Sequence, residues 1–217
     1  MDIYFKPSYT KGNLKSGKGV EKIMWRWIKQ LATVLLTLTT FLAAGCTSKS
    51  TAAGQEEAIP MKKNPKILVA YYSQGGHTRA AAEDFKALTG GDIFEIKPAV
   101  PYPEAHDPCL KMQMEQIQSE ARPALASKGP DLQSYDVIFV GYPIWYYVEP
   151  MVIDTFLESA DFSDKTVIPF CTSGGYPIRD CVERIKKRIP QAHVEAGIRA
   201  NSHSDRSAYV KKLGIAK

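Results

Sequence analysis

The sequence of 217 residues is poor in the residue types that build metal centres and disulfide frameworks. It contains four cysteines, none of which stands in a Cys-x-x-Cys pair, and four histidines scattered along the chain. This pattern indicates neither a zinc site nor a set of structural disulfides. An exported protein could hold one disulfide, but the spacing selects no pair, and we expect Cys109, Cys171 and Cys181 to be buried thiols.

Net charge is absent from most of the chain, although the whole sequence carries a formal charge of +5. Seven of the 28 basic residues and two of the 23 acidic residues lie within residues 1–45, so the remaining 21 of each sign cancel. A protein that binds nucleic acid needs a basic surface for the phosphate backbone. We therefore expect no nucleic acid partner, and we assign the basic excess to a leader segment.

The sequence also lacks an apolar run long enough to span a membrane. The uncharged apolar run at residues 31–44 is shorter than the roughly 20 residues that a spanning helix needs. It follows a basic segment and ends in small residues before Cys46, the order typical of the leader of an exported protein. Because Met24 directly precedes the basic segment, we interpret residues 24–45 as a signal peptide and residues 1–23 as an over-called start.

The residues before Cys46 resemble the lipobox of bacterial lipoproteins, in which the cysteine is acylated and becomes the mature N-terminus. The resemblance implies an exported protein that a lipid anchors to a bacterial membrane, on the periplasmic or cell-surface side. A plain signal peptide cut near Ala44 and a short membrane anchor are the alternatives. Residues 46–65 are rich in Ser, Thr, Ala and Lys and predict a flexible tether, which leaves residues 66–217 as the globular domain.

In this domain, strand-like and helix-like segments alternate five times. The runs at 66–72, 137–140 and 166–170 are continuous, apolar and rich in β-branched residues, which is typical of parallel strands buried on both faces. Shorter strands are predicted at 92–96 and 194–198, and amphipathic segments with helical spacing lie between the strands. The alternation predicts an α/β fold, a three-layer doubly wound sheet of five parallel strands.

Three loops of unusual composition follow predicted strands one, three and four, at residues 73–78, 142–147 and 172–176. In a sheet of strand order 2-1-3-4-5 these strands are neighbours. Ligands of open parallel sheets bind outside the carboxyl ends of the strands, near the point where the strand order reverses. We therefore expect the three loops to meet and to form one binding site.

The first of these loops, SQGGHT at residues 73–78, comes directly before a predicted helix. Free backbone N–H groups and the dipole at a helix N-terminus favour an anion, and the Ser73 and Thr78 hydroxyls can donate to it. The loop has no lysine, unlike a triphosphate-binding loop, and no G-x-G-x-x-G dinucleotide pattern. It predicts a small terminal phosphate, with an ordinary Gly-rich turn as the alternative; Arg79 either assists or points outward from the helix.

The other two loops favour a flat ligand. Residues 142–147 place several aromatic rings at a strand end, where they would stack on a planar partner; a hydrophobic lid or a dimer contact is the alternative. Residues 172–176 contain glycines that let backbone N–H groups approach that partner closely. A phosphate joined to a planar heterocycle describes a mononucleotide-like ligand, and FMN fits best.

These segments resemble the flavodoxin-like family. Residues 67–79 (ILVAYYSQGGHTR) resemble its phosphate-binding signature, residues 141–146 (GYPIWY) its first ring-binding loop, and residues 164–175 (DKTVIPFCTSGG) its second. The resemblance extends in the same order over about residues 66–200. It implies noncovalent FMN as the cofactor and a redox partner protein or a small-molecule electron acceptor as the partner.

The resemblance also implies a role for individual residues, although it identifies no catalytic acid or base and no metal ligand. Three sets of residues would contact the phosphate, the isoalloxazine ring and the polar edge of the ring, with Trp145 stacked on the ring. In that order they are Ser73, Gly75, Gly76, His77 and Thr78; Pro143, Ile144, Trp145 and Tyr146; and Thr172, Ser173, Gly174 and Gly175.

Two positions depart from the family pattern. His77 stands where asparagine is common, so its phosphate contact is expected through the backbone alone. The first ring loop has no glycine after Gly141, whereas electron-carrying members often use one to flip a peptide toward flavin N5 and stabilise the singly reduced flavin. Because Pro143 and the bulky residues after it make such a flip costly, we hypothesise two-electron chemistry.

Three functions are compatible with the sequence. The first is an FMN-binding redox protein that transfers electrons through the flavin. The second is an NAD(P)H-dependent reductase of quinones or other small molecules, which would need a site for a hydride donor over the exposed ring face. The third is a non-redox binding lipoprotein that has kept the fold and lost the flavin.

Overall fold

Residues 62–217 are the part of the chain that the computed structural model describes. The predicted leader at 1–45, the lipidation site Cys46 and the tether as far as residue 61 lie outside the described residues. Within 62–217, no helix combines the length and the apolar character needed to cross a bilayer.

A parallel sheet occupies the middle of the domain. Its strands are β1 (Ile67–Tyr71), β2 (Asp92–Glu95), β3 (Val137–Pro143), β4 (Thr166–Thr172), β5 (His193–Val194) and β6 (Ile198–Arg199). The order across the sheet is β2-β1-β3-β4-β5, and β6 pairs with β4 as well. Every pairing is parallel, so the predicted order 2-1-3-4-5 is confirmed.

The inner strand β1 is buried on both faces, as its continuous apolar sequence predicts. All five of its residues are buried, because side chains of a strand alternate between the two faces of the sheet. Leu68 and Ala70 enter one hydrophobic core, and Val69 and Tyr71 enter the other. Two separate cores therefore hold the sheet between two layers of helices.

The last strand differs from the prediction of one strand at 194–198. The structure divides it into β5, which pairs with the start of β4, and β6, which pairs with the end of β4. Pro169 lies in β4 between the two paired segments and has no N–H to donate to a neighbour. A Cβ atom on Gly197 would lie 2.6 Å from the Pro169 carbonyl oxygen. The break thus follows from a proline in one strand and a close approach of the other.

Five helices cover the sheet within the described residues. They are α1 (His77–Thr89), α2 (His106–Gln118), α3 (Met151–Glu158), α4 (Arg179–Arg188) and α5 (His203–Lys212), with a short 3-10 helix at Leu132–Ser134. Helices α1 and α5 contribute to one core, and α2, α3 and α4 contribute to the other. The three-layer α/β architecture predicted from the sequence is therefore present.

Helix α2 is the element whose packing is least apparent from the sequence. Its apolar residues suggest an inward stripe, but Met114 is 41% exposed and the buried residues are Cys109 and Gln113. The Gln113 side-chain amide donates to Cys109 Sγ at 3.1 Å, which satisfies one of its polar groups inside the core. Hydrophobic periodicity cannot reveal an inward face that contains a glutamine.

Candidate functional site

The three loops that follow β1, β3 and β4 meet at the carboxyl edge of the sheet, as the strand order predicts. The Thr78 and Thr172 hydroxyl oxygens lie 2.8 Å apart, which joins the start of α1 to the end of β4. The Ile144 N–H donates to the Thr172 carbonyl oxygen at 3.2 Å, which joins the loop after β3 to the same residue. Thr172 is therefore the point where the three loops connect.

These loops border a cleft of about 550 Å³. Its walls come from the start of α1, the ends of β3 and β4, and the segment that leads from β6 into α5. The lining residues are His77, Ala80, Ala81, Pro143, Ile144, Thr172, Ser173, Gly174, Ala200, Asn201 and Arg206. Predicted binding residues from all three loops are among them.

The turn between β1 and α1 has the geometry of an anion site. Gly76, the residue before the helix, has a φ of 85°, in the left-handed region that glycine adopts without strain. Its N–H donates to Ser73 Oγ at 3.1 Å, and no side chain caps the helix. The N–H groups of the first helical turn have no partner within a helix, so they are available to an anion.

Within residues 73–79 the side chains add hydroxyl groups, and the guanidinium among them, that of Arg79, is paired with a carboxylate. Thr78 is buried, and its hydroxyl contacts Thr172. Arg79 points away from the turn and donates to Glu95 Oε1 at 2.6 Å. Of the two alternatives for Arg79, this geometry supports the one in which it points outward from the helix. His77 is exposed and lines the cleft. The donors nearest to the anion position are thus backbone amides and hydroxyls, as the absence of lysine predicts.

Trp145 belongs to an aromatic cluster beside the turn. Its ring packs edge-on against Tyr72 and Tyr102, with ring centroids 5.5 Å and 5.3 Å away, and it is half-buried. Tyr72 immediately precedes the phosphate-type turn, so Trp145 and the Gly75–Thr78 turn lie at the same carboxyl edge of the sheet, although Trp145 packs with the core on the face opposite α1. Trp145 does not line the cleft, and its stacking on a ring stays a prediction.

The segment 145–148 forms a tight two-residue hairpin. Trp145 and Val148 exchange backbone hydrogen bonds of 2.9 Å and 3.0 Å. The two residues between them, Tyr146 and Tyr147, have φ values of 45° and 71°. This left-handed conformation costs a residue with a side chain about 1–2 kcal/mol, and hairpins of this type prefer Asn-Gly. Strain of this kind is concentrated at functional sites.

Two tyrosines that the sequence analysis does not assign lie in the loops that follow β3 and β4. The rings of Tyr147 and Tyr176 pack edge to face with centroids 4.4 Å apart, and both rings are exposed, 59% and 44%. They join the first ring loop to the second. Both residues lie within the predicted aromatic and glycine-rich loops. The contact between their rings joins two distant parts of the chain, and the sequence does not reveal it.

The loop after β4 is held by its own polar groups. Ser173 Oγ accepts from the N–H groups of Gly175 and Tyr176 at 3.2 Å and 2.8 Å. The Asn201 side chain accepts from the Ser173 N–H at 3.2 Å and donates to its carbonyl oxygen at 2.7 Å. Asn201 is a site residue that sequence analysis misses, because it lies in the segment after β6. The amides of Ser173, Gly175 and Tyr176 are thus engaged, and Gly174 lines the cleft.

The glycines of this loop border open space, and no close neighbour requires them to lack a side chain. A Cβ atom added to Gly174 or Gly175 would meet no atom within 4 Å in the described part of the chain. The polar end of the site offers amides and hydroxyls, and the other end offers aromatic rings. The residues present therefore fit the predicted cofactor, whose ends are a phosphate and a flat heterocycle.

The three described cysteines are free and buried. Burial raises the pKa of the Cys171 thiol to about 12, and it raises the pKa of Cys181 and of Cys109 as well. Thiols of this kind remain protonated at neutral pH and are poor nucleophiles. Cys171 and Cys181 thus provide packing below the site rather than covalent chemistry.

The chain matches the family model described as Flavodoxin over residues 66–213. A comparison with the curated proteins found no match.

Solved structures show the same architecture. A protein assigned as a flavoprotein from Bacteroides eggerthii is 36% identical, with a TM-score of 0.62, and the match covers 70% of this chain and 99% of the other. Its counterpart from Bacteroides uniformis is 35% identical, with a TM-score of 0.61 and coverage of 69% and 99%. A flavoprotein from Lactobacillus acidophilus in complex with FMN is 24% identical, with a TM-score of 0.59 and coverage of 66% and 99%.

Proposed function

Because this chain belongs to the flavodoxin family, we propose that it binds FMN noncovalently and transfers electrons through it to a partner protein or a small molecule. The observation that carries the proposal is the convergence of an uncapped, lysine-free helix N-terminus and an aromatic hairpin at one edge of the sheet. When bound, FMN supplies the redox chemistry. The protein binds and orients it.

The phosphate end of FMN belongs at the start of α1. The first-turn amides would bind it together with Ser73, Gly75, Gly76, His77 and Thr78, and Gly76 lets the chain turn without strain. The Thr78 hydroxyl, 2.8 Å from that of Thr172, would donate to the phosphate while it accepts from Thr172. Because His77 stands where asparagine is common in the family, it would contact the phosphate through its backbone.

The ring end of FMN belongs between the loops after β3 and β4. Pro143 and Ile144 line the cleft, and the part of the Trp145 ring that the tyrosine cluster leaves exposed is the surface available to the flavin. Tyr146, Tyr147 and Tyr176 would exclude water from the ring. The residues at 172–175 would face its polar edge, chiefly through the backbone N–H of Gly174.

The direct test is to titrate the purified full chain with FMN and to follow flavin fluorescence. We expect saturable quenching at one FMN per chain and clearly weaker binding of riboflavin, which lacks the phosphate. ATP is the control, because a site without lysine should not prefer a triphosphate. A protein that stays colourless and leaves FMN fluorescence unchanged would instead be the binding lipoprotein without flavin.

A reductase that moves electrons in pairs is the second candidate, and the hairpin favours it. Reversing the peptide between Tyr146 and Tyr147 would place Tyr146 in a region of φ and ψ that is essentially restricted to glycine. The two hydrogen bonds between Trp145 and Val148 also hold the ends of the turn. A peptide that cannot reverse cannot make the flip that electron-carrying members of the family use for one-electron transfer. A redox titration that follows a single two-electron step, together with NAD(P)H oxidation by a quinone, would support the reductase.

The proposal includes an exported location with a lipid anchor at Cys46. It is supported by the order of the leader in the sequence: a basic segment, an apolar run and small residues before a cysteine. We expect cells that express the full chain to incorporate labelled palmitate into it and the Cys46→Ser variant to incorporate none. Labelling that persists in the variant would contradict this part of the proposal.

A further inference from the structure

Glu149 is a fully buried carboxylate that comes directly after the strained hairpin. Its Oε1 accepts a hydrogen bond from Arg184 Nε at 2.7 Å. Its Oε2 has no hydrogen-bond partner within the described chain. A buried carboxylate that keeps one oxygen unpaired is costly, so Glu149 is not explained by stability alone.

Arg184 lies on α4, the helix that follows the second ring loop. Its Nη2 reaches Asp154 Oδ2 at 3.1 Å, so one guanidinium holds two carboxylates that are both fully buried. Arg188 adds a weaker contact to the same Asp154 oxygen at 3.5 Å. The pair of Glu149 and Arg184 therefore connects the residue after the first ring loop to the helix after the second.

The hairpin needs such a connection because its conformation is unfavourable by itself. Tyr146 and Tyr147 are left-handed residues with large side chains, and they are exposed, so burial of their rings does not hold them. Besides the hydrogen bonds within the hairpin, the Cys181 thiol of α4 reaches the Tyr147 carbonyl oxygen at 3.6 Å. Both contacts of the hairpin region with α4, through Cys181 and through Arg184, thus come from one helix face.

We infer that Glu149 is a positioning residue for the ring end of the cofactor site, because its ion pair with Arg184 holds the strained hairpin in the conformation that receives the ring. The inference rests on the proposed function, in which the hairpin contacts a flavin. Glu149 acts through the hairpin and does not touch the cofactor itself. It should therefore affect binding of the ring and leave binding of the phosphate unchanged.

Protonation of Glu149 would weaken this ion pair. The groups that face it are Arg184 and Cys181 from α4, Asp154 from α3 and Tyr142 from β3, and Cys171 of β4 lies close to Cys181 and Tyr142. Burial raises the pKa of Glu149, and Arg184 opposes this only in part.

Burial also raises the pKa of Tyr142, Cys171 and Cys181, so these groups stay neutral below pH 8. As the pH falls through the raised pKa of Glu149, the carboxylate takes up a proton and the hairpin loses its support. We therefore expect ring affinity to fall toward acid pH.

The experiment compares Glu149→Gln with Glu158→Gln in the full chain. Glu158 is the control, because it also pairs with arginines, Arg122 at 2.7 Å and Arg188 at 3.5 Å, but it is partly exposed and lies at the far end of α3. We expect Glu149→Gln to weaken riboflavin binding roughly tenfold, the loss typical of a charge-assisted hydrogen bond. Inorganic phosphate binding should stay the same in both variants, and riboflavin binding should stay the same in Glu158→Gln.

The dependence of riboflavin affinity on pH separates positioning from general stability. In the wild type the affinity should fall at acid pH, and in Glu149→Gln this dependence should be absent. Equal riboflavin affinities, or an unchanged pH profile in Glu149→Gln, would overturn the inference.

Hydrogen exchange of the flavin-free protein tests the same claim without a cofactor. The Trp145 and Val148 amides should exchange faster in Glu149→Gln than in Glu158→Gln. In a background with Tyr146→Asn and Tyr147→Gly, where the turn is unstrained, Glu149→Gln should change their exchange much less. An equal change in both backgrounds would overturn the inference. If the wild type binds neither FMN nor riboflavin, the proposed function fails, and the exchange rates still decide the role of Glu149.

Discussion

The turn after β1 and the hairpin after β3 reach the same edge of the sheet with opposite local chemistry. The turn takes its left-handed residue from glycine, at Gly76, which adopts this conformation without strain. The hairpin takes two left-handed residues from Tyr146 and Tyr147 and is connected to α4 by Arg184 and Cys181. The comparison teaches that the backbone conformation of the phosphate turn is favoured by its own residues, whereas that of the hairpin depends on tertiary contacts.

The largest effect is expected from Arg184→Met, which removes the tertiary support. It would leave Glu149 and Asp154 buried with too little positive charge, which we expect to lower the free energy of unfolding by about 3 kcal/mol. Chemical denaturation measures this change. Arg122→Met is the control, since its pair with Glu158 is partly exposed and should contribute at most about 1 kcal/mol. Equal losses in the two variants would remove the distinction between the hairpin and an ordinary surface contact.

The next effect concerns the turn. Gly76→Val should abolish measurable FMN binding and lower stability by about 1–2 kcal/mol, because a side chain is strained at a φ of 85°. Gly75→Ala is the stability control, since the nearest atom to its added Cβ would be 3.9 Å away. Thermal unfolding and FMN titration of both variants check this. Normal stability and binding in Gly76→Val would show that the turn can form without glycine.

Substitutions in the hairpin should raise the stability of the protein, whereas the substitution in the turn should lower it. Replacing Tyr146→Asn and Tyr147→Gly together relieves two strained residues, so we expect a gain in stability of about 1–2 kcal/mol. The same change should weaken FMN binding, because two aromatic side chains are lost from the ring end. Chemical denaturation and FMN titration of one preparation test the expected gain in stability and the expected loss of FMN affinity. A loss of stability would show that the tyrosine rings stabilise the hairpin more than the backbone strain costs.

The smallest effect is expected from the ion pairs below the phosphate turn. Burial acts to raise the pKa of Asp84 on α1, but hydrogen bonds from Arg206 and His203 on α5 outweigh it and lower the pKa. A lowered carboxyl pKa contributes stability above the unfolded value, and this is lost as the pH falls through the folded value. Stability of the wild type should thus decrease below about pH 4, and Asp84→Asn should show a smaller decrease. Urea denaturation between pH 3 and pH 6 gives this difference, and equal slopes would rule out the contribution of Asp84.

Much of the architecture follows from short stretches of sequence. The apolar runs at 66–72 and 137–140 place two strands correctly because burial on both faces requires continuous hydrophobicity. The Gly-rich turn is equally local, since Gly76 and the amides after it need only the following helix. The last strand was predicted as one piece, and its break depends on Pro169, which lies in a different strand.

The site contains residues that local patterns cannot bring together. Asn201 holds the loop at Ser173 from 28 residues away, and Tyr176 packs on Tyr147 across two loops. Glu149 and Arg184 are 35 residues apart, and each looks like an ordinary charged residue in the sequence. Their partners become visible only when the helices have packed on the sheet.

The sequence by itself determined the alternation of strands and helices, the order in which three loops reach one edge, and the absence of lysine from the anion site. Each of these depends on hydrophobic periodicity or on residue types within a few positions. Tertiary structure alone decided that Tyr146 and Tyr147 are left-handed, that Arg79 points away from the turn, and that one arginine supports the ring end. Such features arise because packing and buried charge can stabilise a conformation that the local sequence disfavours.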